Sequence, residues 1–196
     1  MEPGYRLPFV TVLVPCRNEA DFIERCLTSI LSNGYPADRL GVLVVDGRSE
    51  DGTRSVLGAY AQRHACVRVI DNPGRTTPKA LNLGVREAQG DVVLRVDAHA
   101  RLERGYIRRC VEALYEHHAD VACGLLRTVP AVDSPVGQAI AAALSHPFGV
   151  GNSYFRIHVS DATWVDTVFC GCYRREVFER VLAPEGSRAS GVMPLA

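Results

Sequence analysis

The chain has 196 residues, 47% of them hydrophobic and 22% charged, with Lys plus Arg and Asp plus Glu balanced at 22 each. That length suits one domain with a sizeable core. A formal net charge of zero excludes a general electrostatic pull toward nucleic acid or a membrane surface, so any anion site must be local.

In chain order, Phe9 to Val14 (FVTVLV) is a β-branched run ending at Pro15, which predicts a buried strand. Asn18 is placed to cap the helix that follows, where Phe22, Ile23, Cys26, Leu27, Ile30 and Leu31 fall at helical spacing. Asn33-Gly34 stops it. Val42 to Val45 predicts a second strand ending at Asp46-Gly47, and Asp51-Gly52-Thr53 opens a helix to about Arg63. Val67 to Ile70 predicts a third strand, and Pro78 suits the first turn of a helix reaching about Ala88. Val92 to Val96 predicts a fourth strand, running directly into Asp97. A helix over about Arg104 to His117 and a strand near Val121 to Leu125 follow.

Beyond Arg127 the pattern weakens. Ser134 to Leu144 reads as a helix, His146 to Ser160 as a loop, Thr163 to Phe169 as a strand and Arg174 to Val181 as a helix. Residues 183–196 (APEGSRASGVMPLA) have no periodicity and are expected to be a disordered tail. Continuous apolar strands alternating with helices predict an α/β fold with a mostly parallel sheet covered on both faces.

Seven cysteines, Cys16, Cys26, Cys66, Cys110, Cys123, Cys170 and Cys172, form an odd and scattered set. With no signal peptide in view they read as mostly buried, reduced thiols of a cytosolic protein. The most apolar later run, Val136 to Leu144, is far shorter than the roughly 20 residues that span a bilayer.

Ligands of an open parallel sheet bind beyond the carboxyl ends of its strands. There the chain places Pro15-Cys16-Arg17-Asn18-Glu19, then Asp46 through Thr53, then Asp97-Ala98-His99. Three carboxylates therefore point to one crevice. Asp51 reads better as a helix cap, Asp46 and Asp97 better as ligand-binding groups. Arg75 and Lys79 are basic candidates on the loop and helix after the third strand, weighed against plain solvation. The first loop, PCRNEAD, lacks the glycines that let a backbone approach phosphate closely. This argues against a nucleotidyltransferase, and the missing G-x-G-x-x-G argues against a dinucleotide-dependent dehydrogenase.

Four segments, VTVLVPCRNEADFIERCLTSI, VVDGRSEDGTRSVL, NPGRTTPKALNLG and GDVVLRVDAHARL, resemble in order and spacing the motifs of family 2 glycosyltransferases, and most of all the ExoA-like succinoglycan glucosyltransferase group. The resemblance covers about residues 9 to 182. It implies a GT-A fold, a Rossmann-like three-layer sandwich, over residues 1–182. It also implies a UDP-sugar donor and Mg²⁺ or Mn²⁺. Pro15, Glu19, Asp46, Lys79 and Asp97 would bind the donor, with Asp46 accepting the uracil N3–H and Glu19 near the ribose and base. Asp97-Ala98-His99 takes the place of the family's D-x-D, so Asp97 and His99 would hold the ion. The imidazole makes Mn²⁺ as suitable as Mg²⁺.

Gly171, Tyr173 and Arg174 match the segment lining the acceptor side. The implied reaction transfers a hexose, with inversion, to a polysaccharide or lipid-linked glycan. That acceptor would draw a cytoplasmic enzyme to the inner face of the cell membrane. The family's general base is an acidic pair further on, and past Arg180 this sequence has only Glu185. The catalytic base is therefore unassigned, and the domain is expected to be cut short at its C-terminal end. The alternative reading is a donor-binding remnant with little transfer.

Overall fold

The computed structural model describes residues 6–130, 133–151, 153–157 and 162–182. Its elements begin with β1 (Val10–Cys16), α1 (Ile23–Leu31), β2 (Leu40–Asp46), α2 (Thr53–Arg63), β3 (Val67–Asp71), α3 (Thr77–Glu87) and β4 (Val92–Arg95). They continue with α4 (Tyr106–Glu116), β5 (Val121–Ala122), α5 (Pro135–Ala143), α6 (Pro147–Val150), β6 (Cys172–Arg174) and α7 (Arg175–Leu182). The chain divides into two compact units. Of the described residues, one takes in 6–122 together with 170–182, and the other those between 123 and 169.

The first unit is built on a six-stranded sheet in the order β3-β2-β1-β4-β6-β5. β1 pairs in parallel with β2 and β4, and β2 in parallel with β3. β6 runs antiparallel between β4 and β5. The continuous apolar strands are explained by two cores. Val10, Val12, Val14, Val42 and Val44 point to one face, where Ile23, Leu27 and Ile30 of α1, Leu57 of α2 and Ile107, Val111 and Leu114 of α4 meet them. Leu13, Leu43, Val45 and Val93 alternate to the other face against Ala80 and Leu81 of α3. Side chains alternate along a strand, so only a strand covered on both faces needs apolar residues throughout. β3 lies at the edge, and accordingly carries exposed Arg68 and Asp71 among its five residues.

Several local expectations are corrected. Asn18 does not cap α1, whose N-cap is Phe22; Asn18 takes a positive φ of 54° and uses its side chain elsewhere. Thr163 to Phe169 contains no strand. The strand near Val121 stops at Ala122. The region expected to be a loop after His146 contains α6 and a 3₁₀ turn, Tyr154–Arg156. β6, only three residues long, was not foreseen: Cys172 and Tyr173 were given no element, and Arg174 was placed in the helix that follows. Residues 183–196 lie outside the described residues.

In the second unit Ser134 caps α5, its hydroxyl accepting from the Gly137 N–H at 3.1 Å. Phe155 and Phe169 stack with centroids 5.7 Å apart. Among the described residues no helix is long and apolar enough to cross a membrane. All seven cysteines are free, five of them buried.

Candidate functional site

A cleft of about 170 Å³ opens at the carboxyl ends of the parallel strands. Pro15, Cys16, Arg17 and Glu19 line it after β1, and Gly47 after β2. Asn72, Arg75, Thr76, Thr77 and Ala80 come from the connection into α3, and Arg95, Asp97, Ala98 and His99 from the end of β4. This is where an open parallel sheet collects its ligands.

The loops around the cleft are tied to one another rather than capped separately. The Ser49 hydroxyl accepts from the Asn18 N–H and the Thr53 hydroxyl from the Glu19 N–H, each at 2.9 Å. Asn18 Oδ1 in turn accepts from the Glu50 N–H at 2.9 Å. Asp51 serves both loops, accepting from the Ala20 N–H at 3.1 Å and the Thr53 N–H at 2.9 Å. It is thus a cap-like acceptor at the start of α2, and its bonds to Thr53 hold its carboxyl below the usual carboxylate range. Three non-glycine residues at the ends of these loops have positive φ: Asn18, Arg48 and Arg75. Such conformations persist where surrounding contacts over-determine them, and they gather at binding sites.

Asp97 sits on the cleft wall with its side chain 15% exposed. Its Oδ1 accepts from Arg95 Nε at 3.0 Å, and its backbone oxygen accepts from the Cys26 thiol at 3.7 Å. His99, two residues on and more open, places Nδ1 3.2 Å from Glu19 Oε1. Among the described residues no group of three or more His, Cys, Asp and Glu side chains could cage a metal ion. An ion that draws most of its shell from phosphate and water needs only one or two protein carboxylates; Asp97 and His99 both line the cleft.

Asp46 stands at the end of β2 but behind the cleft wall, 1% exposed. Its carboxylate accepts from the Ser49 hydroxyl at 2.6 Å and lies 3.2 Å from Arg54 Nε. Lys79 is exposed on α3 and its stem packs over Gly74. Arg75 reaches Glu50 at 3.3 Å. Cys16 lines the cleft as a neutral thiol; burial, then the nearby Asp46 and Glu19 charges, pushes it up to about 12.

Gly171 and Tyr173 flank and occupy β6, and the Gly171 carbonyl accepts from the Arg95 N–H at 3.0 Å. Arg174 turns away to the end of α4, donating to the Leu114 and Ala119 carbonyls at 2.8 and 2.9 Å and covering the Tyr115 ring. It complements the negative end of that helix.

The sequence reading passed over Arg95, Arg17 and Asn72. A signal for Arg95 existed: it is the one charge inside an apolar strand, VVLRV. Asn72 is buried and pins the loop before α3, donating to the Thr76 carbonyl and accepting from the Gly74 N–H, each at 3.1 Å. Nothing in its local sequence distinguishes it from an ordinary turn asparagine.

Residues 11–182 match the sequence model of the family described as Glycosyl transferase family 2. The chain belongs to glycosyl transferase family 2. The succinoglycan biosynthesis protein ExoA of Rhizobium meliloti is 33% identical over 147 residues, covering 74% of this chain and 44% of ExoA. A dolichyl N-acetyl-α-D-glucosaminyl phosphate 3-β-D-2,3-diacetamido-2,3-dideoxy-β-D-glucuronosyltransferase of Methanococcus voltae is 24% identical over 170 residues, covering 84% of this chain and 52% of that enzyme.

Among solved structures, the mannosyltransferase PcManGT of Pyrobaculum calidifontis, in complex with GDP-Man and Mn²⁺, superposes with a TM-score of 0.64 at 28% identity. That match covers 92% of this family 2 chain and 48% of the mannosyltransferase. The fold is therefore GT-A, as the motifs implied. This family 2 chain spans about half, or less, of the length of these relatives.

Proposed function

We propose that this family 2 glycosyltransferase binds a UDP-sugar with a divalent ion in the cleft and transfers a hexose, with inversion, to a polysaccharide or lipid-linked glycan. One observation carries the reading. Asp97 and His99, the D-x-D equivalent, share a cleft wall with Glu19 and with three arginines, Arg17, Arg75 and Arg95. Cations of this kind are what a diphosphate needs.

Pro15, Glu19, Asp46, Lys79 and Asp97 form the donor side, and Gly171 and Tyr173 lie toward the acceptor, where the matched Arg174 is instead engaged by the end of α4. Arg54 covers the Asp46 carboxylate while its own side chain is 57% exposed. Swinging Arg54 aside would let Asp46 accept an imide N–H from the base. Uracil N3–H fits that contact, and so does guanine N1–H, so GDP is the informative competitor beside UDP. Asp97 and His99 would hold Mn²⁺ or Mg²⁺. When bound, the ion supplies Lewis-acid neutralisation of charge developing on the departing diphosphate. The arginines hold the diphosphate in place. An acceptor on a lipid carrier would bring the protein to the inner face of the membrane.

Calorimetric titration with UDP and GDP, with and without Mn²⁺, tests this reading in the wild type and Asp97→Ala. UDP binding that strengthens with Mn²⁺ and loses that gain in the variant is expected. Folded wild-type protein that ignores both nucleotides would refute the donor site. Transfer from a UDP-hexose to a lipid-linked acceptor then reports on the reaction.

A further inference from the structure

We infer that Glu19 is a positioning residue for His99, setting its imidazole to receive the metal ion; the inference rests on the metal reading above and gives Glu19 a role other than contact with the nucleotide. A carboxylate can only accept, so the 3.2 Å approach of His99 Nδ1 to Glu19 Oε1 requires the proton on Nδ1. In neutral imidazole that leaves Nε2 as the nitrogen with a lone pair. Metal-bound histidines are oriented in this way, the second ring nitrogen donating to a carboxylate that fixes tautomer and ring direction.

The two residues lie 80 positions apart in the chain, and the fold holds Glu19 firmly enough for the task. Its N–H donates to Thr53 Oγ1 at 2.9 Å, and its carbonyl accepts from Phe22 and Ile23 at the entrance to α1. Its side chain is 22% exposed against 59% for His99, so the better-held member directs the freer one. Asp97 needs no such partner, since Arg95 already fixes it. With an imidazole as the second ligand of the pair, an orienting acceptor becomes necessary, because a free ring can turn either nitrogen to the ion.

The test is the ratio of nucleotide affinity in saturating Mn²⁺ to that in EDTA, measured by calorimetry with UDP, or with GDP if it binds more tightly. Variants are Glu19→Ala, Glu19→Gln, His99→Ala and the Glu19→Ala/His99→Ala double. Circular dichroism verifies folding; the bonds by which Glu19 joins its loop to α1 and α2 are made by its backbone.

Glu19→Ala is expected to cut the ratio about tenfold, the low end for an orienting partner of a metal ligand. Glu19→Gln, whose amide oxygen still accepts from Nδ1–H, should restore most of the ratio. The double variant should be no worse than His99→Ala alone. Lower affinity in EDTA with an unchanged ratio would show Glu19 on the nucleotide and overturn the inference. So would additive losses in the double variant. A wild-type ratio near one removes the metal reading itself, a failure recognisable without any Glu19 variant, and the inference goes with it.

Discussion

Arg95 grips Asp97 by one oxygen: its Nε and Nη2 each stand 3.0 Å from Oδ1. The arginine side chain is 30% exposed and lines the cleft, so it fixes the carboxylate and brings positive charge to the site together. Removing it by Arg95→Ala is expected to weaken UDP binding in Mn²⁺ by about tenfold, since a charge-assisted bond of this kind contributes roughly 1.5–3 kcal/mol. Arg95→Lys should recover only part, because an ammonium lacks the planar fork. Calorimetry measures both. Unchanged binding in Arg95→Ala would mean that Asp97 needs no support.

Asn33 is buried at 1% exposure and serves the start of α4 across 74 positions of sequence. Its Oδ1 accepts from the Ile107 N–H and its Nδ2 donates to the Glu103 carbonyl, each at 3.0 Å. Asn33→Ala strands both groups, and a lost cap alone costs about 0.5–2 kcal/mol. Urea unfolding should show a loss near the upper end of that range. A loss under about 0.3 kcal/mol, well below any cap, would show the contact to be idle.

Two glycines should respond in opposite directions to alanine. A Cβ on Gly90 would stand 2.5 Å from the Phe9 carbonyl oxygen and 2.8 Å from the Thr11 nitrogen, both backbone. The Thr11 hydroxyl also accepts from the Gly90 N–H at 3.0 Å, so neither strand can give way cheaply. Gly90→Ala should destabilise by about 1–3 kcal/mol, as overpacking does. Gly58 is exposed within α2 and a Cβ there meets nothing within 4 Å. Gly58→Ala should stabilise by up to about 1 kcal/mol through helix propensity. Paired denaturation curves decide, and the same sign for both would contradict the packing argument.

Burial pushes the Cys16, Cys26 and Cys170 thiols up to about 12, and raises Cys172 well above its ordinary 9.0. In the unfolded chain these thiols ionise near 9.0, so above that pH the folded state holds more protons than the unfolded one. Stability is therefore fully present below about pH 9 and lost as pH rises toward 12. Melting temperatures in reducing buffer should be level from pH 7 to 8.5 and fall by pH 10. Thiol-to-alanine variants that flatten the alkaline limb would confirm the source; a fall of equal size in them would assign it elsewhere.

What the sequence determined by itself was everything that local pattern carries. Runs such as Val10 to Val14 and Val42 to Val45 are apolar on both faces apart from Thr11, the pattern of strands covered on both sides, and the charged groups that follow them gather beyond the carboxyl ends of the sheet. The place of Asp97 in the cleft was legible because it follows such an end, whereas His99 was reached only through the family resemblance. Three-residue β6 was not, because a strand that short gains its stability from β4 and β5 on either side rather than from its own residues.

Tertiary structure alone decided how the long-range partners are shared out. Asn18 does not cap the start of α1; its side chain accepts instead from the Glu50 N–H, which arrives from another loop. Arg174 went to the carbonyls of α4 and Asp46 to Ser49 and Arg54. The meeting of Glu19 with His99 is of the same kind. A hydrogen bond between residues tens of positions apart depends on where the whole sheet puts two loops, and no window of sequence contains both.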